Sequence, residues 1–231
     1  MSTALVLSAG GMFAAWEVGV WKALAGELQA DLVVGASCGA WNGWVIAAGA
    51  SPDQLIAEWH DQSIAATWLF RPELLRQKAQ DLWTRFQPRI PFGLTVVEVP
   101  HFRARLVRGP DVTWRHLAAT CSIPGAFPAV SIASKQFVDG GLLGALPLWA
   151  AEEMGATRAI ALNCLTHFSF RMLRAVLRPR GGSPLLDVKL IEPSEPLGSL
   201  RDTLCWSGSN IERWIELGER DGKRAMTEIT M

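Results

Sequence analysis

Residues 32–40 read LVVGASCGA, and this stretch decides the fold. The apolar run Leu32–Val34 predicts a short buried strand, and the small residues after the second glycine predict a helix. Between them, Gly35 and Gly39 flank Ser37, and a Cβ on either glycine would clash where strand and helix approach. Strand, tight turn and helix in this order are typical of a nucleophile elbow, which presents the serine hydroxyl at the turn. A glycine-rich turn with a structural serine is the alternative.

The rest of the chain alternates short apolar strands with helical patterns. We predict strands at Ala4–Leu7, Leu32–Val34, Leu94–Val97, Gln136–Val138, Ala159–Leu162 and Val188–Ile191. We predict helices at Ala14–Gly26, Ala40–Ala48, Pro52–Ala66, Pro72–Phe86, Val112–Cys121, Pro147–Met154 and around Ile211–Met226. Such alternation implies right-handed crossovers and a sheet covered on both faces. The fold class is therefore α/β, a three-layer sandwich with a mainly parallel central sheet.

Length and composition favour a single domain over residues 1–231, of which 49% are hydrophobic and 19% charged. Residues 51–92 hold two helices between strands, an insertion-like region that could cover a site. The 22 basic and 22 acidic residues cancel, which argues against a nucleic-acid partner that relies on bulk charge. The cysteines and histidines show no metal-ligand spacing, so no metal or cofactor is expected.

The segments that resemble targeting or membrane sequences have better explanations. Residues 1–16 have no basic region before their apolar run, unlike a signal peptide. Residues 32–52 lack charge but contain four glycines and Asn42, which suits a strand, a turn and a helix better than a membrane span. We expect a cytoplasmic protein, with peripheral contact to a membrane as a further hypothesis.

Two further loops follow predicted strands. Residues 8–12 read SAGGM, and glycines between a strand and a helix expose backbone N–H groups that can hold an oxyanion. A tight turn without function is the alternative there. Asp139 ends the fourth predicted strand and precedes two glycines, although Asp-Gly by itself is also a common turn.

Four blocks in order resemble the patatin-like phospholipase family: Leu7–Gly11 with Val18–Leu24, Gly35–Ala40, Ala119–Pro128 and Val138–Gly141. The resemblance implies a patatin-like domain and a metal-free Ser–Asp dyad that hydrolyses carboxylic esters of lipids through an acyl-enzyme. It makes Ser37 the nucleophile and Asp139 the base. The backbone amides of Gly10, Gly11 and Met12 would hold the oxyanion.

The chain departs from the family pattern at two positions. Phe13 stands where the family usually has Lys or Arg, and Cys38 replaces a smaller residue after the nucleophile. Loss of a cation near the oxyanion could slow catalysis by about 10²–10³-fold. A catalytically weakened relative that binds lipid is therefore an alternative function.

A dyad also sets a requirement for its base. A solvated aspartate, with a pKa near ~3.9, is a weak base at pH 7. Asp139 must therefore be partly desolvated and must contact Ser37.

The residues are also compatible with two other kinds of enzyme. His167 follows Asp139 in the chain, so an α/β-hydrolase triad Ser37–Asp139–His167 is formally available. The early position of the elbow and the Asp-Gly-Gly block disfavour it. An acyltransferase would use the same dyad and pass the acyl group to an alcohol.

A basic stretch carries the membrane hypothesis. Arg171, Arg174 and Arg178 would share one helical face, with apolar residues between them. We expect lipid or acyl-ester substrates, and this face is a candidate contact with anionic lipid. A solvated arginine face over an ordinary core helix is the alternative.

Overall fold

The computed structural model describes residues 1–61, 64, 71–166 and 186–229. An eight-stranded sheet lies at its centre, in the order β5-β6-β3-β2-β1-β7-β8, with β4 paired to β3. The strands are β1 Thr3–Leu7, β2 Leu32–Ala36, β3 Phe92–Val99, β4 Arg103–Arg108, β5 Val130–Ile132, β6 Lys135–Asp139, β7 Arg158–Leu162 and β8 Asp187–Ile191. All pairs among β3, β2, β1, β7 and β8 are parallel, whereas β4, β5 and β6 pair antiparallel. The α/β prediction is confirmed.

The antiparallel side of the sheet has an unusual arrangement around β3. Strand β4 occupies one edge of β3 over the whole of Gly93–Glu98. Strand β2 pairs with the first half of β3 and β6 with the second half, so both lie along its other edge. Ala36 is opposite Thr95, and Asp139 is opposite the next residue, Val96. Because β2 and β6 run in opposite directions, their carboxyl ends meet there.

All six predicted strands are present, and the sequence patterns missed two more. Strand β4 reads RARLVR and is exposed or half-buried throughout, so it carries no apolar run. Its guanidinium groups contribute instead to ion pairs: Arg105 Nε donates to Glu98 Oε2 at 2.7 Å. Strand β5 has only three residues, too few for a periodic pattern.

Helices cover both faces of the sheet. They are α1 Ala14–Leu24, α2 Cys38–Ala47, α3 Pro52–His60, α4 Pro72–Arg85, α5 Trp114–Thr120, α6 Leu148–Glu153 and α7 Gly208–Ile229. Alternate strand residues divide between two cores: Leu5, Leu7 and Val33 pack with helices α1, α2 and α7 on one face. Ala4 and Val6 pack with α6 on the other. This alternation makes the three layers. In the described part of the chain, no helix combines the length and apolarity needed to cross a membrane.

The predicted helix starts agree with the capping chemistry, and several ends were overextended. Ser51 caps α3 by accepting from the Gln54 amide at 3.2 Å, and the Gln54 side chain accepts from the Ser51 amide. Helix α3 ends at His60, six residues before its predicted end. Buried Lys78 then ties α4 to α3 through Glu58, with Nζ to Oε2 at 2.8 Å.

Helix α7 lies directly against α1, and the backbones of the two helices approach closely. A Cβ on Gly218 would overlap the Trp16 carbonyl oxygen of α1. The indole of Trp16 also donates to Asp221 Oδ2 at 2.9 Å, and both side chains are buried. The close contact between these helices therefore depends on a residue without a side chain.

We expect Gly218→Ala to separate α7 from α1 and to lower the free energy of unfolding by about 1–3 kcal/mol, the usual cost of overpacking. Urea denaturation followed by circular dichroism measures this. Gly26→Ala is the matched control, because nothing lies within 4 Å of a Cβ there. Equal stability of the two variants would contradict the helix contact.

Candidate active site

Ser37 lies at the junction of β2 and α2 with strained backbone angles, φ 53° and ψ −133°. Its amide donates to Thr120 Oγ1 at 2.9 Å, and that hydroxyl donates to the Thr95 carbonyl at 2.8 Å. The strained turn is therefore held from α5 and β3, in agreement with the elbow predicted from the sequence. A Cβ on Gly39 would overlap the Ser8 carbonyl, which explains the glycine after the serine.

The structure brings Ser37 and Asp139 together. Ser37 Oγ donates to Asp139 Oδ2 at 2.7 Å, and the amide of Gly141 donates to Oδ1 at 2.7 Å. The Asp139 amide in turn donates to the Ser122 carbonyl at 3.0 Å, which anchors the end of β6 to the segment after α5. Both carboxylate oxygens thus have a defined donor, and one of those donors is the elbow hydroxyl.

Burial changes the acidity of the carboxyl group. Asp139 is 5% exposed, and burial raises its pKa from 3.8 to about 7, against the lowering effect of the bonds from Ser37 and Gly141. A carboxylate with a pKa near neutrality is a far better proton acceptor than a solvated one. The desolvation that the sequence argument required of Asp139 is present.

The glycine loop runs beside the elbow. Residues Gly11–Phe13 form a single 3₁₀ turn that leads into α1. The Met12 amide donates to the Thr203 carbonyl at 2.9 Å, so in this conformation it is engaged within the chain. Within the described residues, the amides of Gly10 and Gly11 donate no hydrogen bond, and both glycines line the same cavity as Ser37.

An apolar cavity of about 240 Å³ opens onto the serine. Its walls include Ile123, Leu142, Ala145, Leu165, Leu200 and Leu204, together with Ser37 and Asp139. No Lys or Arg of the described residues lines it. Leu200 is 58% exposed, so the cavity is bordered by an apolar side chain that faces solvent.

The described residues of the region 51–92 include helices that pack against α2: the Trp59 indole donates to Asn42 Oδ1 at 2.8 Å. None of these residues lines the cavity beside Ser37. A role for this region in covering the site therefore gains no contact from the described residues.

Phe13, where the family pattern has a cation, is part of the core. It is 3% exposed, and its ring lies edge-on to that of Trp214, with the ring centroids 5.1 Å apart. It does not line the cavity with Ser37. If Ser37 attacks a carbonyl group, the resulting oxyanion would therefore depend on backbone amides. Cys38, the other departure, is buried in the first turn of α2.

Some predicted residues lie outside the described part of the chain. These are His167 of the alternative triad and the arginines at 171, 174 and 178. Of the histidines that are described, none lines the cavity. Among residues 1–61, 64, 71–166 and 186–229, no group of His, Cys, Asp and Glu could hold a metal ion.

Comparison with known proteins agrees with this geometry. A family model described as patatin-like phospholipase matches residues 5–95 and 109–152, more than half of the chain. The chain belongs to the patatin-like phospholipase family. The matched residues contain the glycine loop, the elbow and Asp139, and they omit the whole of β4, which carries no apolar pattern.

Solved structures resemble this patatin-like fold at low identity. VipD from Legionella pneumophila matches 98% of this chain and 67% of its own, with a TM-score of 0.58 and 11% identity. The type III effector protein ExoU matches 98% of this chain and 53% of its own, with a TM-score of 0.47 and 14% identity. The likeness to VipD supports the fold.

A curated relative matches part of the patatin-like chain. It is a glutamyl-tRNA reductase of Salinispora arenicola (strain CNS-205), 30% identical over 138 residues. The match covers 57% of this chain and 28% of that protein. The chain thus corresponds to about a quarter of that relative's length.

Sequence reasoning missed three polar residues that shape this patatin-like site. Thr120 holds the amide of Ser37, Thr203 engages the amide of Met12, and buried Glu17 accepts from Ser8 beside the glycine loop. Thr120 lies inside a quoted family block, so its position carried a signal. Thr203 lies in a stretch with no motif, and only the fold brings it to the loop.

We expect Asp139→Asn to stabilise the protein above neutral pH. The raised pKa means that folding buries a charge once the carboxyl group ionises. The carboxyl's contribution to stability is therefore complete below pH ~4 and is lost as pH rises through about 7. Relative to wild type, the free energy of unfolding of Asp139→Asn should rise between pH 4 and pH 8 by about 2–4 kcal/mol.

Denaturation at a series of pH values measures that difference. Ser37→Ala is the control, since it keeps the buried carboxyl group. Because it loses the bond that lowers the pKa of Asp139, its stability should fall with rising pH at least as much as that of wild type. Parallel stability curves for wild type and Asp139→Asn would contradict the raised pKa.

Proposed function

We propose that this chain is a serine acyl hydrolase that cleaves carboxylic ester bonds of lipids through a Ser37–Asp139 dyad. The observation that carries the proposal is the 2.7 Å hydrogen bond from Ser37 Oγ to a buried carboxylate, at the wall of an apolar cavity. Membership of the patatin-like phospholipase family supports the same reaction class. No cofactor or metal takes part in it.

Acylation begins with the proton of Ser37. Asp139 Oδ2 takes that proton as Ser37 Oγ attacks the ester carbonyl carbon, and the carbonyl oxygen becomes an oxyanion. When the tetrahedral intermediate collapses, the carbon–oxygen bond to the leaving alcohol breaks. Protonated Asp139 returns its proton to that alcohol, leaving the acyl group on Ser37.

Deacylation repeats the sequence with water. Asp139 Oδ2 accepts a proton from a water molecule, whose oxygen attacks the acyl-enzyme carbonyl. Collapse of the second intermediate releases the fatty acid, and Ser37 Oγ recovers the proton from Asp139. The bond from Gly141 to Oδ1 keeps the second carboxylate oxygen occupied, so that Oδ2 remains aimed at the serine.

The oxyanion is assigned to the glycine loop. The amides of Gly10 and Gly11 border the cavity with their N–H groups unengaged among the described residues. Met12, the third amide of the assignment, joins them once its bond to the Thr203 carbonyl is exchanged for the oxyanion. Amides fixed in a water-poor cavity can supply several kcal/mol without a cation, roughly 3–4 kcal/mol per donor in other hydrolases.

The apolar lining of the cavity favours one class of substrate. Leucine, isoleucine and alanine side chains dominate its walls, so the acyl chain of an ester gains free energy by leaving water there. A charged acyl group would find no cation along the described walls. Esters with an apolar acyl group are therefore the proposed substrates.

We expect a fluorophosphonate to add one label to the wild-type protein, detected by intact mass. Ser37→Ala should abolish the label, and the matched control Ser131→Ala, at an exposed serine on β5, should keep it. A folded wild type that takes no label would contradict an activated Ser37 and favour the lipid-binding alternative.

Turnover of p-nitrophenyl esters tests the base. Asp139→Asn should lower kcat by about 10²–10⁴-fold, because proton transfer loses its acceptor. In wild type, kcat/KM should rise with pH through about 7 as Asp139 ionises. Near-wild-type turnover of Asp139→Asn would remove Asp139 from the role of base. His167→Ala should remain active, and its inactivity would favour the triad.

A further inference from the structure

A second carboxyl group, Glu17 on α1, lies buried beside the glycine loop and has no part in the proposed chemistry. Its exposure is 0%, and burial raises its pKa to about 8. None of the described Lys and Arg residues forms an ion pair with it. Burying a carboxyl group without a cation lowers the stability of the fold. The role of Glu17 therefore depends on the hydrogen bonds that it accepts.

One oxygen of Glu17 holds the residue that precedes the glycine loop. The amide of Ser8 donates to Oε1 at 2.8 Å, and the hydroxyl of Ser8 lies 3.1 Å from the same oxygen. That hydroxyl accepts from the Cys164 amide at 3.0 Å, so its own proton is free to be donated. Since Ser8 directly precedes Ala9 and Gly10, these bonds fix the base of the loop.

The other oxygen holds the helix that follows the nucleophile. Asn42 Nδ2 donates to Glu17 Oε2 at 3.1 Å and to the Ala14 carbonyl at 2.9 Å. The orientation of this amide is determined, because the indole N–H of Trp59, which can only donate, lies 2.8 Å from Asn42 Oδ1. The NH₂ group of Asn42 therefore faces Glu17, and Oε2 accepts from it.

We propose that Glu17 is a positioning residue that sets the glycine loop against the nucleophile helix by accepting from Ser8 with one oxygen and from Asn42 with the other. The inference rests on the proposed function, because the distance it sets is that between the oxyanion amides and Ser37. Both partners are donors, so the bridge needs an acceptor at each end. The ionised carboxyl group provides this, whereas its protonated form and an amide of the same shape each carry a donor on one side.

Glu17→Gln tests this with almost no change in volume, in buffers above pH 8, where the wild-type carboxyl group is ionised. Its NH₂ group must face either the Ser8 amide or the NH₂ of Asn42, and one bond is lost. We expect amide hydrogen exchange in residues 8–13 to accelerate about tenfold. We expect kcat for a p-nitrophenyl ester to fall about 10–100-fold, with KM changed less than about twofold, because misplacement affects the transition state most.

The double variant Glu17→Gln/Asn42→Asp exchanges donor and acceptor between positions 17 and 42, but it loses the bond from Asn42 to the Ala14 carbonyl, so the rescue is expected to be partial. It should recover part of the lost kcat and slow the loop exchange again, a rescue that a merely structural carboxyl group would not give. Asp221→Asn is the control: Asp221 is also a buried carboxyl group, but it accepts from the Trp16 indole and the Ser194 amide, pairs with Arg224 and does not contact the loop. It should leave kcat and loop exchange at wild-type values.

The outcomes separate the two proposals. Amide hydrogen exchange can be measured without turnover. If the wild-type protein has no esterase activity, the proposed function is wrong, but the exchange rates of residues 8–13 still test the role of Glu17. Unchanged loop exchange and unchanged kcat in folded Glu17→Gln would overturn the positioning role. If that variant does not fold, Ser8→Ala keeps the amide bond to Glu17 and removes the hydroxyl bonds to Glu17 and Cys164. Its loop exchange must then exceed that of wild type for the proposal to stand.

Discussion

Along one edge of β3, the carboxyl ends of β2 and β6 face each other from opposite directions. Ala36 and Asp139 are opposite consecutive residues of β3, so the chain that leaves β2 starts its turn beside the end of β6. The hydrogen bond between Ser37 and Asp139 follows from this contact, although 102 positions separate the two residues. In a purely parallel sheet the two side chains would instead come from neighbouring strands that lie side by side.

The site contains two ionisable groups that are shielded from water. Asp139 and Glu17 are both buried carboxyl groups whose pKa values are raised by burial, and neither has a described cation as its partner. Among the described residues, each is held by neutral donors from the backbone or from serine, asparagine and cysteine side chains. Neutral donors leave the basicity of a carboxylate largely intact, whereas a salt bridge would suppress it. Ionisation of these two carboxyl groups therefore lowers the stability of the fold, and each group keeps a raised affinity for a proton.

The local parts of this arrangement could be predicted from the sequence. Strand, elbow and glycine loop each occupy a short stretch with its own residue pattern, and Ser37 was identified in this way. Asp139 was identified through the family resemblance, because Asp-Gly alone is also a common turn. The direction of β6 could not be predicted, because a five-residue strand reads the same in either direction. The contacts of Thr203 and Glu17 could not be predicted from the sequence either. They depend on which segments the fold brings together, and a single polar residue in a loop or helix carries no period or spacing.

The carbonyl of Thr203 closes the glycine loop from the other end of the chain, and Leu200 and Leu204 complete the cavity from the same segment. A chain is synthesised from its amino end, so the dyad residues leave the ribosome more than 60 residues before this segment does. Until then, Ser37 and Asp139 lack one wall of the cavity beside them. The order of synthesis therefore delays a complete cavity until the segment around Thr203 has emerged.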